Sequence, residues 1–554
     1  MLVYYISIDI DDLEKIKNIH HYLDNINTNI IKNKATFFIN SKHIRYLNKS
    51  KIHYTLIKED VCKFYRNRIY DLKYIIDKTI NITGSMGNFM TFNEIENKIK
   101  YLQKTFPRFI TKKFSIGQTI ENRNIWAINV SNGNNNNPEI LITGLLEARE
   151  VISYTSILYY IEWLCINYDN NDIAKYILDT KQLWFIPCLN PDGLAYNEKI
   201  ENNGGGMYNK NRNVNCDNKD LIGINLNRNF PIDWNLDNIG SSNECNSTNF
   251  KGERNLSERE TWALSLFIKT RNFILHINFE AFGNQLLVPN NKFLNITKYA
   301  TKNLNNFTYG SICDLEIPKN GTITKWFNTK TNIKNKINSF KLKLGTYDDG
   351  YWPIPKNIIP ICENAVNITN NLCELCDDYY FLDCVVKNSK ILLNIKNISI
   401  SPENISLTVK IEYNNTFINL SNNEWEITLN NDETKTIEIN YFIINKYFIK
   451  TNLIVNLIKN NNTIKSTNIK IKGPEYLNET GKLTKEDLFL LFDYQDDTNI
   501  ANFKCSDYDL QQSLRLFFDI EDINILKNIF KKKNTTKKII NNNYIKNVIN
   551  KIYE

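Results

Sequence analysis

Apolar strand-like runs alternate with helix-periodic segments from about residue 91 to residue 370, and this alternation limits the possible fold more than any other feature of the chain. It predicts helices over residues 92–105, 153–168 and 257–271, and strands over residues 125–130, 140–145, 182–187 and 273–279. The sequence NPDG at residues 190–193 predicts a turn directly after a strand. The pattern is typical of an α/β fold with a buried sheet, in which sites collect at strand ends.

The 554 residues are too many for a single hydrophobic core, and the pattern changes on both sides of the central segment. Residues 1–70 predict a small α+β domain, with strands at 2–10, 35–39 and 53–57 and helices at 11–25, at 41–48 and from 59. Residues 71–88 predict a linker. The basic residues Arg66, Arg68 and Lys73, between residues 65 and 78, are expected to be solvated. Residues 385–475 carry period-two strands between Asn-rich turns, which predict a β-sandwich, and residues 476–554 predict a mixed, helical tail.

Composition argues against several function classes. The formal net charge of +8 is modest and basic residues are interspersed with acids, so nucleic acid is not an expected partner. No apolar run reaches the roughly 20 residues that span a bilayer, because the best candidate, residues 152–166, contains Glu162. The N-terminus lacks the pattern of a secretory signal, so either the protein stays in the cytoplasm or the signal is missing from this chain.

The eleven cysteines are dispersed and odd in number, so at least one thiol is expected to be free or to pair between chains. Cys373 and Cys376 have a spacing seen in zinc and redox motifs. No second pair stands at zinc-ribbon distance, which favours a local disulfide or two ordinary thiols.

A loop rich in carboxylates follows the predicted strand at residues 140–145. It reads GLLEAREVIS over residues 144–153 and places Glu147 and Glu150 three residues apart, beside Arg149. Such a loop could hold a metal, a proton or a substrate, although no histidine lies near it in sequence.

Nine motifs occur in the order found in zinc procarboxypeptidases of the A and B type, and residues 1–370 therefore resemble that family with its propeptide. The motifs are GSMGNFMTFNEI, SIGQTIENRNIWAINVS, GLLEAREVIS, CLNPDGLAYN, NNGGGMYNKNRN, INLNRNF, DNIGSSNECNSTNFKGERNLSERET, EAFGNQLLVP and DGYWPIPKNIIP. The resemblance implies a mixed sheet flanked by helices at residues 89–372, peptide hydrolysis from the C-terminus, a zinc cofactor and a secreted or vacuolar location.

The resemblance also implies that the metal site has changed. The family binds zinc with a His-x-x-Glu pair and a later histidine; Glu150 keeps the glutamate, whereas Glu147 and Glu280 occupy the two histidine positions. His276 lies four residues before Glu280 and is expected to be a buried strand residue rather than a replacement ligand. Three carboxylates would favour hard cations such as Ca²⁺, Mg²⁺ or Mn²⁺ over zinc.

Further roles of the family fall on unusual residues. The position of the general base is Lys343, the substrate-capping tyrosine aligns with Ile317, and the oxyanion arginine aligns with Asn209. The resemblance retains Asn227 and Arg228 as a clamp for the terminal carboxylate of a peptide, with Arg149 as a second cationic subsite. Asn227 and Arg228 could equally well only brace their loop.

These substitutions suggest that the ammonium of Lys343 lies among Glu147, Glu150 and Glu280 and replaces the metal. We therefore expect a catalytically inactive homologue without a cofactor, whose possible partners are peptide or protein C-termini. One alternative is an active peptidase that uses an all-carboxylate metal site. Another is a structural or adhesion protein that acts through the β-sandwich. The resemblance further implies a disulfide between Cys216 and Cys245.

Overall fold

The computed structural model describes residues 3–472 apart from short segments. The residues outside the description are 1–2, 10, 13–14, 16–23, 30–32, 70–79, 112, 135, 215–221, 238–239, 289–292, 317–318, 333, 377–379, 388–389, 401–404, 414–417, 431–432, 445–449, 460–461 and 473–554. The predicted tail at 476–554 therefore lies outside it. The chain divides into two compact units, of which the first is residues 1–379 with 397–403 and 430–433, and the second is the remainder.

The first unit begins with a four-stranded antiparallel sheet in the order β2-β3-β1-β4. Its elements are β1 (Val3–Asp9), β2 (Asp24–Asn29), β3 (Lys34–Asn40), α1 (Ser41–Lys49), β4 (Thr55–Lys58) and α2 (Val61–Ile69). The prediction of a helix over residues 11–25 is wrong at its end, because Asp24 and Asn25 pair with β3 as part of a strand. Pairing with a neighbouring strand outweighs the weak local preference of this segment.

An eight-stranded mixed sheet forms the centre of the first unit and confirms the α/β prediction. Its strands are β5 (Phe114–Gln118), β6 (Asn124–Val130), β7 (Glu139–Thr143), β8 (Gln182–Ile186), β9 (Phe273–Ala281), β10 (Gln285–Val288), β11 (Thr308–Ser311) and β12 (Asn338–Leu344). Their order is β11-β10-β12-β9-β7-β8-β6-β5. The inner strands β12, β9, β7 and β8 run parallel, so their carboxyl ends meet at one edge.

Helices pack against this sheet. They are α3 (Phe92–Thr105), α4 (Val151–Asn167), α5 (Asp172–Thr180), α6 (Pro191–Ile200), α7 (Arg259–Lys269), α8 (Leu294–Ala300), α9 (Ile312–Leu315), α10 (Ile323–Phe327) and α11 (Pro355–Glu374). Helix α3 begins at a capping box formed by Thr91 and Glu94. Helix α4 is apolar on nearly every face because it is almost entirely buried. Among the helices of the described residues, none is both long and apolar enough to cross a membrane.

The sequence motif NPDG starts a helix rather than forming an isolated turn. The side chain of Asn190 caps the first turn of α6, accepting a hydrogen bond from the amide of Gly193 at 3.0 Å, and Pro191 occupies the first helical position. A proline at this position loses no hydrogen bond, since the first helical amides have no partner within the helix.

The segment before α3 packs into the core, although the sequence predicted a linker there. Ile80, Ile82 and Met86 are buried, and they belong to the same hydrophobic cluster as α3 and α4. Burial of these apolar side chains ties residues 80–88 to the central sheet.

The second unit consists of two four-stranded sheets in the orders β13-β14-β18-β16 and β17-β15-β19-β20. The strands are β13 (Tyr380–Lys387), β14 (Lys390–Asn397), β15 (Ile405–Tyr413), β16 (Ile418–Leu420), β17 (Glu424–Leu429), β18 (Thr434–Ile443), β19 (Lys450–Lys459) and β20 (Asn462–Lys472). Alternate side chains from both sheets form one hydrophobic cluster, as the period-two pattern requires.

Candidate functional site

The predicted site residues lie at the carboxyl ends of three adjacent parallel strands. Glu147 and Glu150 follow β7, Glu280 is near the end of β9, and Lys343 is near the end of β12. The structure brings the three glutamates together, since Glu147 and Glu280 both act electrostatically on Glu150. The sequence predicted a site at the ends of the strands, and the charged residues meet at the carboxyl edge of the sheet.

The loop after β7 is shaped by hydrogen bonds from asparagine side chains. Asn190 donates to the carbonyl of Leu146 at 3.3 Å, and Asn197 donates to the carbonyl of Ala148 at 3.0 Å. The backbone of Gly193 lies so close that a Cβ atom there would be 2.5 Å from the Cβ of Ala148. These contacts hold the loop in one conformation and fix where Glu147 and Glu150 can point.

Glu147 is surrounded by donors. Its Oε2 accepts from Arg149 Nη2 at 3.0 Å and from Asn209 Nδ2 at 3.5 Å, and its Oε1 accepts from Asn225 Nδ2 at 3.1 Å. Arg228 Nη1 lies 3.9 Å from Oε1. Burial alone would raise the pKa of Glu147, but Arg149 and Arg228 outweigh it and lower the pKa to about 2. Glu147 is therefore an ionised carboxylate.

Glu280 is bonded in a similar way. Its Oε1 accepts from Asn278 Nδ2 at 2.8 Å and from Asn227 Nδ2 at 3.0 Å, while Lys341 Nζ lies 3.7 Å from its Oε2. Neighbouring amides and one cation thus compensate for the removal of this carboxylate from water.

The expected position of Lys343 is wrong. Lys343 Nζ pairs with Glu316 Oε1 at 3.0 Å, and Lys341, two residues earlier on the same face of β12, is the lysine that approaches Glu280. Lys341 also pairs with Glu316 Oε2 at 2.8 Å. Burial would lower the pKa of both lysines, but nearby carboxylates, Glu280 and Glu316 for Lys341 and Glu316 for Lys343, raise it. Lys343 lies apart from its expected partners because the carboxylate of Glu316 binds both ammonium groups.

Glu150 differs from the other two glutamates. It stands at the N-cap of α4, and its Oε2 is buried without a hydrogen-bond partner among the described residues. Burial raises the pKa of Glu150 well above the ordinary value, and the charges of Glu147 and Glu280 raise it further. Burial and the neighbouring like charges therefore favour the protonated form of Glu150.

Asn227 and Arg228, the predicted clamp, are bonded within the protein. Asn227 donates to Glu280 and accepts from the amide of Ile323 at 3.1 Å. Arg228 donates to the carbonyl of Asn227 at 2.8 Å and to Asn249 Oδ1 at 3.0 Å. These bonds reduce the number of donors that Asn227 and Arg228 have left for a ligand.

His276 is a buried strand residue that contacts no carboxylate directly. Its Nε2 lies 2.9 Å from Thr143 Oγ1, and its Nδ1 lies 2.7 Å from Ser339 Oγ. Because Thr143 donates to Asn278 Oδ1 at 2.7 Å, its oxygen accepts from His276, which places the ring proton on Nε2. Burial lowers the pKa of His276 well below the usual value, and the ring stays neutral.

Comparison with known proteins identifies this domain. A family model described as zinc carboxypeptidase matches residues 95–368. These residues belong to the zinc carboxypeptidase family. The computed fold is similar to the crystal structures of thrombin activatable fibrinolysis inhibitor (TM-score 0.55, 19% identity, 68% of this chain and 98% of that chain) and of a carboxypeptidase A from Helicoverpa armigera (TM-score 0.56, 18% identity, 67% and 96%).

Sequence relatives of the carboxypeptidase domain include human mast cell carboxypeptidase A, which is 25% identical over 250 residues, 44% of this chain and 56% of that protein. A metallocarboxypeptidase A from Trichophyton tonsurans is 33% identical over 165 residues, 29% of this chain and 37% of that protein. The chain thus spans little more than half the length of the curated relatives that it matches.

The donor set does not fit the zinc ion on which this family depends. Glu147 and Glu280 already accept hydrogen bonds from arginine and asparagine side chains and face cations, and burial with like charges raises the pKa of Glu150. Within the part of the chain that the structure describes, no group of three or more His, Cys, Asp or Glu residues is arranged to hold a metal ion. Zinc ligands must be deprotonated and must have free lone pairs directed at the ion.

The N-terminal sheet and α2 cover the site. The ring centroids of Phe38 and Tyr351 are 5.7 Å apart, and the guanidinium of Arg149 lies over the Tyr351 ring, 4.2 Å from its centroid. The hydroxyl of Tyr65 accepts from the amide of Tyr351 at 3.2 Å. With this cover in place, Arg149 is only 2% exposed.

Basic residues of α2 fasten the cover instead of being solvated. Arg68 donates to the carbonyls of Asp348 at 2.6 Å, Asp349 at 2.7 Å and Trp352 at 3.2 Å, and Arg66 pairs with Glu201 at 3.0 Å. The expectation of solvated side chains fails here because α2 extends to Ile69 and presents both arginines to the carboxypeptidase domain.

Of the remaining predicted positions, Ile317 and Cys216 lie outside the described residues. Cys245 is disulfide-bonded, and Cys373 and Cys376 are buried thiols.

Sequence reasoning missed Lys341, Glu316 and Asn225. Period two in β12 could have identified Lys341, because it shares a face with Lys343. Glu316 lies in a segment that resembles the family poorly, so no motif marked it.

Proposed function

We propose that this chain is a catalytically inactive homologue of the zinc carboxypeptidases, in which a buried network of ion pairs replaces the metal ion. The observation that carries the proposal is the bonding of Glu147, at the position of a zinc-binding histidine, to Arg149 and Asn225. A carboxylate held in this way has little capacity left to bind a cation.

Charge balance supports the proposal. Four cationic side chains contact the three carboxylates Glu147, Glu280 and Glu316; they are Arg149, Arg228, Lys341 and Lys343. The network is therefore compensated without a divalent ion. A divalent ion would add two positive charges to a buried site in which these four cations already face three carboxylates. Its binding there would be strongly unfavourable.

The chemistry of proton transfer points the same way. A general base must accept a proton near the working pH, and the side chain at the family's base position is Lys343. Glu316 raises the pKa of Lys343, so this lysine is a protonated ammonium at neutral pH and has no lone pair to offer.

In this proposal the protein acts by binding, with peptide or protein C-termini as the candidate ligands. Asn227 and Arg228 already donate hydrogen bonds to Glu280 and Asn249. We therefore expect the wild-type protein to bind such ligands weakly. The disulfide at Cys245 favours an oxidising compartment over the cytoplasm.

Metal analysis and a peptidase assay on the purified full chain test the proposal. We expect no stoichiometric zinc, no release of C-terminal Lys, Arg, Phe or Leu from peptides before or after trypsin, and a melting temperature that chelators leave unchanged. An active zinc carboxypeptidase assayed in parallel controls for substrate quality. Hydrolysis that is lost with a chelator and with Glu150→Ala would instead support an all-carboxylate metal enzyme.

A further inference from the structure

The carboxylate of Glu147 is held by the kind of donors that bind a ligand carboxylate. Arg149 and Arg228 approach it at 3.0 and 3.9 Å, and the amides of Asn225 and Asn209 donate to it from 3.1 and 3.5 Å. Convergence of guanidinium and amide donors on one carboxylate is a common mode of carboxylate recognition. In this protein the carboxylate belongs to the chain itself.

We propose that Glu147 is an internal ligand, whose side chain closes a carboxylate-binding site that would otherwise accept a carboxylate from outside. The inference rests on the proposed function, because a metal ion bound by Glu147 would use the same oxygens. It adds the reason why the site is closed to an outside carboxylate: the side chain of Glu147 occupies the donors itself.

Burial makes the internal ligand effective. Glu147, Arg149 and Arg228 are 7%, 2% and 3% exposed, and Asn225 is completely buried. Removing the Glu147 carboxylate would leave two buried guanidinium groups without this partner, together with a space of about its size. A small carboxylate that enters this space restores the charge pairing, which is the basis of a rescue experiment.

The experiment measures thermal unfolding of the full chain in increasing acetate, with ionic strength held constant by chloride. We expect acetate to raise the Tm of Glu147→Ala by about 2–4 °C, and to leave the wild type and Glu147→Gln unchanged because their side chains fill the space. Acetamide, which has the shape of acetate without its charge, should not stabilise Glu147→Ala. Adding Arg149→Met to Glu147→Ala should abolish the acetate effect.

The proposal is overturned if acetate stabilises Glu147→Ala no more than it stabilises the wild type, or if acetamide acts equally well. If Glu147→Ala shows no cooperative unfolding in chloride, its refolding from urea is measured in acetate instead. Recovery of the folded chain in acetate supports the proposal, and no recovery overturns it. Metal analysis of the wild type is independent of these outcomes. A metal-free wild type without acetate rescue contradicts the internal ligand alone, whereas a zinc-bound wild type contradicts the proposed function.

Discussion

Lys341 and Glu316 form a buried ion pair, with Nζ and Oε2 2.8 Å apart. Lys341 is 1% exposed and also approaches Glu280, so it compensates two carboxylates at once. We predict that Lys341→Met lowers the free energy of unfolding by about 3–5 kcal/mol, because it leaves the buried carboxylate of Glu280 without its cation and Glu316 with Lys343 alone. Chemical denaturation of the variant and the wild type measures the loss.

A matched series separates the ion pair from side-chain packing. Lys341→Met combined with Glu280→Gln should recover part of the lost stability, since the second change removes the carboxylate that has lost its cation, whereas Glu316 keeps Lys343. Equal destabilisation by the single and double variants would show that pairing with Glu280 contributes nothing measurable.

We predict that Glu147→His with Glu280→His creates a zinc site that does not hydrolyse peptides. The double variant restores the ligand types of the family beside Glu150, but the base position is still occupied by the ammonium of Lys343. Titration with zinc and elemental analysis measure binding, and peptide assays measure activity. Peptide release by this variant at a rate near that of an active relative would contradict the role assigned to Lys343. The wild type, titrated in parallel, is the control.

Stability should depend on pH through Glu260, outside the candidate site. Burial and, to a smaller extent, the charge of Glu258 raise the pKa of Glu260 from 4.5 to about 8. Between these two pH values the folded protein holds a proton that the unfolded chain has lost, so stability falls as pH rises, by up to about 1.4 kcal/mol per pH unit. Glu260→Gln should flatten this slope, whereas Glu253→Gln, at an exposed position, should not. Unfolding midpoints of the wild type and the two variants, measured between pH 4.5 and about pH 8, test this prediction.

Arg68 should contribute more to stability than Arg66, although both lie on α2. Arg68 donates to three backbone carbonyls, and hydrogen bonds from a charged donor contribute roughly 1.5–3 kcal/mol each when they are buried. Because this side chain is only half-buried, we expect Arg68→Ala to cost about 1–3 kcal/mol in total. Arg66→Ala removes a more exposed ion pair and should cost less than about 1 kcal/mol. Unfolding midpoints and resistance of the cover to chymotrypsin compare the two, and equal effects would contradict the prediction.

Elements with a strong pattern of their own could be predicted from the sequence. Helix α3 has the predicted bounds, Phe92–Thr105, because a capping box precedes an apolar stripe of helical period. Strand β2, Asp24–Asn29, could not be predicted, because its sequence DNINTN has no regular apolar alternation and it is a strand only through pairing with β3.

The candidate site was predictable in its residues but not in its pairings. The loop after β7 and the end of β9 identified Glu147, Glu150 and Glu280 from motif order alone. The choice of Lys341 over Lys343 as the partner of Glu280 depends on the carboxylate of Glu316, which reaches the site from a segment without a recognisable motif. A side chain that is contributed by a distant, poorly matching segment leaves no local signal.

Interlocking charges at the end of the sheet also restrict which residues can stand at positions 147 and 280. A histidine introduced alone at position 147 would deprive Arg149 and Arg228 of their shared anion, and one introduced alone at position 280 would leave Lys341 with Glu316 as its remaining carboxylate partner. Positions 147 and 280 are therefore tied to the cations around them, and a change at either position is expected to be tolerated only together with a change in its cationic partners.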